Sequence, residues 1–316
     1  MTESQSDRRL RRLRLLDPLS RAQRERLSHI DFKLYFLGEL RRADVVERFE
    51  TGPAGATRDI ALYKDIAPEN IDLDNTTKVY RPGNNFSPLF EHSPQRVLTA
   101  LSQGFGEGIG DQLQPMVRCE FPTALSLPKM SVLAPITRAI HRGMAVRLAY
   151  TSVESGRTER ELVPLALVDI GIRWHVRAFD RRHRQFRDFV FTRMEEPTIL
   201  EDSPVLKEET VENDVQWSRI IELDLVPHPA HPRAEVVRMD YEMPDGVMRV
   251  KVRAANAGYM LRRWTVDCSP DHSLTGLEYA LWLKDPLTLY GASNAQLAPG
   301  YKDPRAVAEA SPIKAM

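Results

Sequence analysis

The hydrophobic residues near the N-terminus recur at the spacing of a short helix. Leu27, Ile30 and Leu34 lie three or four residues apart, which places them on one face of a helix. Ser20 and Gln23 have the spacing of a capping box, in which two residues satisfy each other's backbone N–H groups. The sequence therefore predicts a helix that begins directly after Ser20.

Two further helices and a hairpin are predicted next. The second helix starts at about Arg42 and the third runs from about Ala56 to Ile66, after a turn rich in glycine and proline at residues 51–55. Two short strands then flank a polar turn at residues 75–77. Three helices closed by a β-hairpin are typical of a winged helix-turn-helix, a DNA-binding module.

This pattern predicts a DNA interface on the third helix and the hairpin. The N-terminal part of the third helix enters the major groove in such modules. Arg58 can donate two hydrogen bonds to a guanine edge, whereas polar residues at the hairpin tip suit backbone phosphates. The candidate DNA-contacting residues are Arg42, Thr57, Arg58, Lys64, Thr76, Thr77 and Lys78. The alternative is a helical subdomain that contacts only protein.

The middle of the chain alternates between polar and apolar residues, as strands do. Residues 146–194 predict a small, strongly curved β domain, in which the basic residues Arg173, His175 and Arg177 share one face of a strand. A return strand over 186–194 would place Arg187 and Arg193 on one face. Several cationic donors on one small sheet favour a phosphate or another anion. The alternative is that these arginines form surface ion pairs with neighbouring glutamates.

The C-terminal part predicts a small α+β unit, because strand and helix patterns alternate after Ile221. A strand is expected at 266–268, and Trp282, Leu287 and Leu289 are expected to pack a terminal helix or turn. The predicted domains are a winged helix-turn-helix over residues 1–90, a helical linker over 91–130, a β domain over 131–202, a C-terminal domain over 203–292 and a flexible tail over 293–316.

Charge and cysteine usage narrow the class of protein. The chain carries 44 basic and 44 acidic side chains and therefore has no formal net charge. A nucleic-acid binder of this kind must gather its basic residues locally, and five arginines do lie between Arg8 and Arg14. Cys119 and Cys268 lack the spacing of a zinc site or a disulfide framework, so a cytoplasmic location without metal or cofactor is expected. No apolar run approaches the roughly 20 residues of a membrane helix, so no membrane partner is expected.

Two blocks of sequence resemble a known family. Residues 173–180 (RWHVRAFD) and 186–193 (FRDFVFTR) resemble the WYL domain, with Trp174-His175-Val176 in the place of the Trp-Tyr-Leu that names it. Residues 56–60 (ATRDI) and their surroundings resemble the winged helix of WYL-type regulators. Within these regulators, the chain resembles the BrxR/CapW group, which is found beside bacterial phage-defence operons.

The resemblance implies an α+β multidomain protein. Its parts are an N-terminal winged helix-turn-helix, a central β-rich WYL domain of Sm-like barrel type and a C-terminal dimerisation domain of WCX type. It further implies a homodimeric repressor on an inverted-repeat operator in double-stranded DNA, released by a nucleotide or nucleic-acid effector. The implied effector-binding residues are Tyr150, Ser152, Arg160, His175, Arg187 and Arg193.

Two other functions are weighed against this hypothesis. One is an enzyme that acts on nucleic acid, but the sequence has no nucleophile elbow and no HExxH motif, so no catalytic residue is assigned. The other is a nucleic-acid sensor or scaffold without a promoter of its own. A preference for the DNA upstream of its gene would separate a regulator from a scaffold.

Overall fold

The computed structural model describes residues 14–105, 115–120 and 125–304, and the chain divides into two compact units after residue 121. Most of the arginine cluster, from Arg8 to Arg12, lies outside the described residues. Each unit has its own hydrophobic core, and each is described separately below.

The N-terminal unit contains three consecutive helices that the sequence predicts. They are α1 (Arg21–Phe32), which continues into a π-helical segment (Lys33–Leu37), α2 (Arg42–Phe49) and α3 (Pro53–Ile66). The capping box at Ser20 is formed, because its hydroxyl accepts from the N–H of the third helical residue and its own N–H is satisfied in return.

Helix α3 begins at Pro53 and not near Ala56, so the predicted turn over residues 51–55 is wrong beyond Gly52. Gly52 is the N-cap residue and Pro53 takes the first helical position. Proline is well suited there, because its φ is already helical and its missing N–H is one that a helix start leaves unpaired. Composition alone had favoured a turn.

A hairpin and one bridge complete the winged helix. A 3-10 turn (Pro68–Asn70) leads to β1 (Asp72–Asp74), which pairs antiparallel with β2 (Val79–Arg81). Leu40 forms an isolated bridge to Tyr80 with two backbone hydrogen bonds of 2.9 Å. The hairpin is therefore tied to the segment between the first two helices.

The three helices share one apolar core, which includes Leu27, Ile30, Leu34, Val45, Ile60, Tyr63 and Ile71. Each such side chain stabilises the fold by roughly 1.5–3 kcal/mol on burial. A further helix, α4 (Pro94–Gln103), packs Val97 and Ala100 against Phe32. The predicted linker over 91–130 thus starts with a helix that belongs to the N-terminal unit.

The second unit opens with a curved sheet covered by one helix. Its elements are α5 (Met130–Arg142), β3 (Val146–Ser152), β4 (Gly156–Asp169), β5 (Trp174–Asp180), β6 (Gln185–Val190) and β7 (Met194–Ile199). The strands are antiparallel in the order β6-β5-β4-β3-β7. The sheet and α5 enclose a core around Leu148, Leu162, Val176 and Phe189.

The register of β5 and β6 separates cationic residues that the sequence placed together. His175 pairs with Val190 and Ala178 pairs with Arg187, so His175 and Arg187 lie on opposite faces of the sheet. Strand β6 ends at Val190 and a 3-10 turn follows, so the predicted common face of Arg187 and Arg193 is wrong. The alternation rule fails where the strand stops.

The C-terminal domain is a four-stranded sheet with short helices. Its elements are α6 (Val215–Ser218), β8 (Ile220–Pro227), α7 (Ala234–Asp240), β9 (Met248–Arg253), α8 (Ala257–Arg263), β10 (Val266–Asp267) and β11 (Leu281–Leu283). The strand order is β10-β11-β8-β9, with β10 and β11 parallel. Trp282 therefore lies in a strand, where a helix or turn was expected, whereas Leu287 and Leu289 lie in a 3-10 turn (Pro286–Leu289) as expected.

The predicted flexible tail over 293–316 is wrong as far as residue 304. Ala295 and Ala298 are buried in the core of the C-terminal domain. The side chain of Asn294 is buried and accepts a hydrogen bond of 2.9 Å from the Gly258 N–H. Small residues allow close packing here, whereas composition suggested a loose chain. Residues 305–316 lie outside the described part of the chain.

Candidate nucleic-acid interface and ligand pocket

Helix α3 presents the predicted DNA-contacting residues to solvent. Thr57, Arg58 and Lys64 are exposed, whereas Ile60 and Tyr63 are buried on the opposite face. The early start at Pro53 puts Thr57 in the second turn, where its hydroxyl donates to the Pro53 carbonyl at 2.9 Å. The Thr57 methyl group and the Arg58 guanidinium remain free to approach a base edge or a phosphate.

Buried polar contacts fix the orientation of α3. Asp59 pairs with Arg26 of α1, with 2.6 Å between Oδ2 and Nε. The Tyr63 hydroxyl donates to Asp31 at 2.5 Å, and Asp31 also lies 2.9 Å from Nε2 of His92. Because these partners are almost fully enclosed, the exposed face of α3 is held in one position.

The hairpin tip is shaped by a single carboxylate. Asp74 accepts hydrogen bonds from the N–H groups of Thr76 and Thr77 and from the Thr77 hydroxyl, the last at 2.7 Å. These bonds, the hydroxyl bond first, hold the pKa of Asp74 below its ordinary value. Thr76, Thr77 and Lys78 are exposed at the tip, and Arg42 is exposed at the first position of α2.

The six predicted effector-binding residues do not form one site. Tyr150, His175 and Arg193 line a common cavity. Ser152 lies at the end of β3, where its hydroxyl accepts from the Glu154 N–H at 3.2 Å. The remaining two residues, Arg160 and Arg187, belong to a separate ionic cluster.

Asp180 organises that cluster. The buried Arg160 places Nη1 3.2 Å from Oδ2 of Asp180 and donates through Nε to the Thr158 hydroxyl at 3.0 Å. Nδ1 of His183 lies 2.6 Å from the same carboxylate, and Nη1 of the half-exposed Arg187 lies 4.0 Å from it. Arg160 is thus largely committed to internal contacts, which is the ion-pair alternative raised from the sequence.

The cavity lies between the WYL-like sheet and helix α8, and it is called the interdomain pocket below. Its volume of about 670 Å³ falls within the range of small-molecule sites. The lining residues are Tyr150, Ile170, Gly171, Ile172, Arg173, His175, Asp188, Val190, Arg193, Tyr259, Arg262, Arg263 and Leu297.

His175 is the most unusual residue of the pocket. Its side chain is buried, yet neither ring nitrogen has a hydrogen-bond partner within the described part of the protein. Burial, together with the charges of Arg173 and Arg193, lowers the pKa of His175 to about 4. The ring is therefore neutral near pH 7 and offers one donor and one acceptor. Nε of Arg173 is likewise buried without a partner among the described residues.

A buried ionic network lies behind the pocket and reaches its lining through Asp188 and Tyr259. Arg177 lies 3.1 Å from Asp188 and binds both oxygens of Asp214, at 2.7 and 2.9 Å. Burial opposes the charge on Arg177, but these two carboxylates raise its pKa above the ordinary value. Burial raises the pKa of Asp188 more than Arg177 lowers it. Tyr259 donates its hydroxyl to Asp188 at 3.3 Å.

Sequence reasoning missed the contribution of α8. Tyr259, Arg262 and Arg263 are spaced by three and four residues, so they share one face of the helix. That spacing was a usable signal for a common surface, but it could not tell that the surface faces the sheet. Only the packing of the two domains places these residues beside His175.

Two histidines, His228 and His231, lie close enough together in the sequence to be candidate metal ligands. Nε2 of His228 lies 3.1 Å from Asp267, and its Nδ1 accepts from the Ala230 N–H at 3.1 Å. His228 is thus engaged in structural contacts. Across the residues that the structure describes, no group of three or more potential ligands could hold a metal ion. The described helices include none of the length and apolarity that a membrane span requires.

Three family models match successive parts of the chain. They are the BrxR transcriptional regulator winged helix-turn-helix domain over residues 22–103, the WYL domain over 131–199 and the BrxR transcriptional regulator C-terminal dimerization domain over 220–289. The fold class predicted from the sequence is confirmed by these matches.

Two related proteins are both named DNA-binding transcriptional repressor CapW. The DNA-binding transcriptional repressor CapW of Stenotrophomonas maltophilia is 30% identical over 254 residues, which cover 78% of this chain and 84% of that protein. Its namesake from Escherichia coli (strain KTE188) is 28% identical over 277 residues, which cover 84% and 90%.

One solved structure, the proteasome accessory factor PafBC of Arthrobacter aurescens, aligns with 94% of this chain at 16% identity and a TM-score of 0.24. The alignment covers 48% of PafBC, so this chain spans about half its length.

A winged helix, a WYL domain and a C-terminal dimerisation domain in this order define the class of WYL-domain regulators. Within that class, the chain belongs to the BrxR/CapW family.

Proposed function

We propose that this protein is a dimeric, DNA-binding transcriptional repressor whose affinity for DNA is controlled by an anionic effector in the interdomain pocket. The observation that carries the first part is the order of family domains along the chain, with relatives named as DNA-binding repressors. The family resemblance extends the proposal to a phage-defence operon as the controlled target.

The DNA interface of the proposed repressor is the exposed face of α3 with the hairpin tip. Arg58 and Lys64 supply positive charge, and neither is buried by the core that holds the helix. Two such faces in a dimer suit an inverted repeat whose half-sites lie about one helical turn apart, or a multiple of it.

The experiment that tests DNA recognition compares two duplexes. Fluorescence anisotropy would follow the titration of the protein into its own upstream DNA and into a scrambled duplex, at two salt concentrations. Specific binding typically exceeds non-specific binding by roughly a thousandfold or more. Equal, weak binding to both duplexes would support the sensor or scaffold alternative.

The residue-level test is Arg58→Ala. The loss of a bidentate base contact is expected to weaken binding to the upstream DNA by about 1–3 kcal/mol and to relax the sequence preference at one position. Arg249→Ala is the matched control, because its side chain is exposed on β9, outside the winged helix. An unchanged preference in Arg58→Ala would show that α3 is placed wrongly on the DNA.

Two features of the interdomain pocket support control by an effector: buried polar atoms without partners among the described residues, and a lining that is both cationic and apolar. A buried histidine and a buried guanidinium nitrogen without partners among the described residues carry a free-energy cost that a ligand can offset. Arg173 and Arg193 favour an anion, and the apolar wall formed by Ile170 and Val190 favours a non-polar body attached to it. A nucleotide or a short nucleic acid combines both properties. Binding would release DNA only if the effector prefers the conformation that does not bind DNA.

A further inference from the structure

Helix α8 of the C-terminal domain closes one side of the interdomain pocket. Tyr259, Arg262 and Arg263 line the cavity from this helix, whereas Arg173 and Arg193 line it from the WYL domain. The cationic groups of the pocket therefore come from two domains.

The helix is seated closely on the WYL domain. A Cβ atom on Gly171, in the β4–β5 turn, would lie only 2.6 Å from Nε of Arg263. The same guanidinium lies 3.9 Å from Asp169, and the ring of Tyr259 meets that of His175 edge-on at 5.1 Å. The absence of a side chain at Gly171 thus makes room for Arg263 at the pocket rim.

The C-terminal core fixes the same helix from its other side. Leu261 is fully buried in that core. Gly258 packs against the backbone of Asn294 so closely that a Cβ atom would overlap its carbonyl oxygen, and its N–H donates to the Asn294 side chain at 2.9 Å. The positions of Arg262 and Arg263 are therefore set by the dimerisation domain.

The charges of the pocket are unbalanced. Four guanidinium groups line it, and the single carboxylate among the lining residues, Asp188, is already bound to Arg177 at 3.1 Å. Within the described part of the chain, neither Arg193 nor Arg262 forms an ion pair, and Arg263 has only the long contact to Asp169. Guanidinium pairs bind phosphate through charge-assisted, often bidentate hydrogen bonds.

We propose that the effector is a short compound with at least two phosphate groups that bridges the two domains. Arg173 and Arg193 hold one phosphate, and Arg262 and Arg263 hold another. The body between the phosphates lies against the His175 ring and the apolar residues Ile172 and Leu297. This inference rests on the proposed effector pocket. It adds the C-terminal domain as a direct ligand contact, so that effector binding acts on the dimerisation domain directly.

Isothermal titration calorimetry with three probes tests the number of phosphates. The probes are thymidine 5′-monophosphate, 5′-phosphorylated dithymidylate with its two phosphates, and inorganic pyrophosphate, which lacks the intervening body. The dinucleotide is expected to bind at least about tenfold more tightly than either other probe, since a charged hydrogen-bonding contact contributes a factor of about 10 to 100. Equal affinities, or no binding at concentrations of about 1 mM, would overturn the proposed ligand class.

The double variant Arg262→Gln/Arg263→Gln tests the role of α8. It is expected to lose the preference for the dinucleotide and to bind it about tenfold or more weakly, while its thermal unfolding midpoint stays near that of the wild type. Arg249→Gln is the control, because it removes an exposed arginine of the same domain outside the pocket. Full retention of dinucleotide affinity in the double variant would overturn the bridging proposal.

A second variant separates this inference from the proposed function. If Arg173→Gln/Arg193→Gln abolishes dinucleotide binding and the α8 variant does not, the effector pocket is supported and the proposed contact with the C-terminal domain is refuted. If neither variant changes binding, the pocket itself is the wrong site.

Discussion

Two buried histidines show how burial, together with nearby cationic side chains, disfavours the protonated imidazole in this protein. His29 in α1 and His175 in β5 both lack hydrogen-bond partners for their ring nitrogens within the described residues. His175 faces a cavity, whereas His29 is packed edge-on against the rings of Phe49 and Phe105. The first is therefore available to a ligand, and the second is a structural residue.

His29 is expected to make stability depend on pH. Burial, together with Arg48 and Lys33, lowers the pKa of His29 to about 3 from an ordinary 6.5. The unfolded chain therefore binds a proton first as the pH falls, and stability is lost between pH 6.5 and about 3, by at most roughly 1.4 kcal/mol per pH unit from this group. His29→Phe should remove this loss and add about 1 kcal/mol at pH 7.

Urea unfolding at pH 7, 6, 5 and 4 would measure the effect of His29→Phe. The free-energy difference between variant and wild type should widen towards pH 4. His141→Phe, at an exposed position in the last turn of α5, is the control and should keep the wild-type pH dependence. Parallel losses in wild type and His29→Phe would contradict the prediction.

At the scale of elements, the sequence predicted the start of a helix well where the residue that causes it to start lies at that position. The capping box at Ser20 starts the first helical region as expected, and the left-handed Gly38, with φ of 72°, ends it. Pro53 was taken for a turn residue, although proline serves equally as a first helical residue. Strand β6 stops at Val190 because the chain turns there towards β7, which no local pattern indicated.

Arg177 connects elements of two domains and is expected to be essential for stability. It joins β5 to Asp214, which caps α6 through the Trp217 N–H at 3.1 Å. Arg177→Met leaves Asp188 and Asp214 buried without their cation, which should cost about 3–5 kcal/mol. Urea unfolding would measure the loss. Arg249→Met, which removes an exposed pair 3.8 Å from Asp224, should cost less than about 1 kcal/mol. Equal losses of unfolding free energy in the two variants would show that Arg177 contributes no more to stability than an exposed ion pair does.

At the scale of the whole molecule, the proposed dimer sets the geometry of the DNA site. The C-terminal domain matches a dimerisation family, and the winged helix supplies one DNA-reading face per protomer. Two faces on one side of a duplex require half-sites about one helical turn apart, or a multiple of it.

Operator spacing is therefore expected to be critical. Insertion of about 5 bp between the half-sites turns one half-site to the opposite side of the duplex and should abolish binding of the dimer, whereas insertion of about 10 bp should partly restore it. Analytical ultracentrifugation of the protein on each duplex would measure both affinity and stoichiometry. Indifference to the inserted length would indicate that each winged helix binds independently.

The sequence by itself determined the domain types, the helices of the winged helix and the exposed residues of α3. These properties depend on spacing within a few residues, on capping and on the family motif around Trp174-His175-Val176. The family resemblance implied Tyr150, His175 and Arg193 as effector-binding residues, and all three line one cavity.

Only the tertiary structure decided how the pocket is built. The β5–β6 register moved Arg187 to the other face of the sheet, and Asp180 drew Arg160 into a buried ion pair. The structure also brought Tyr259 to Asp188, 71 residues earlier in the chain. Strand register and domain packing arise from contacts between distant segments, so no local spacing encodes them.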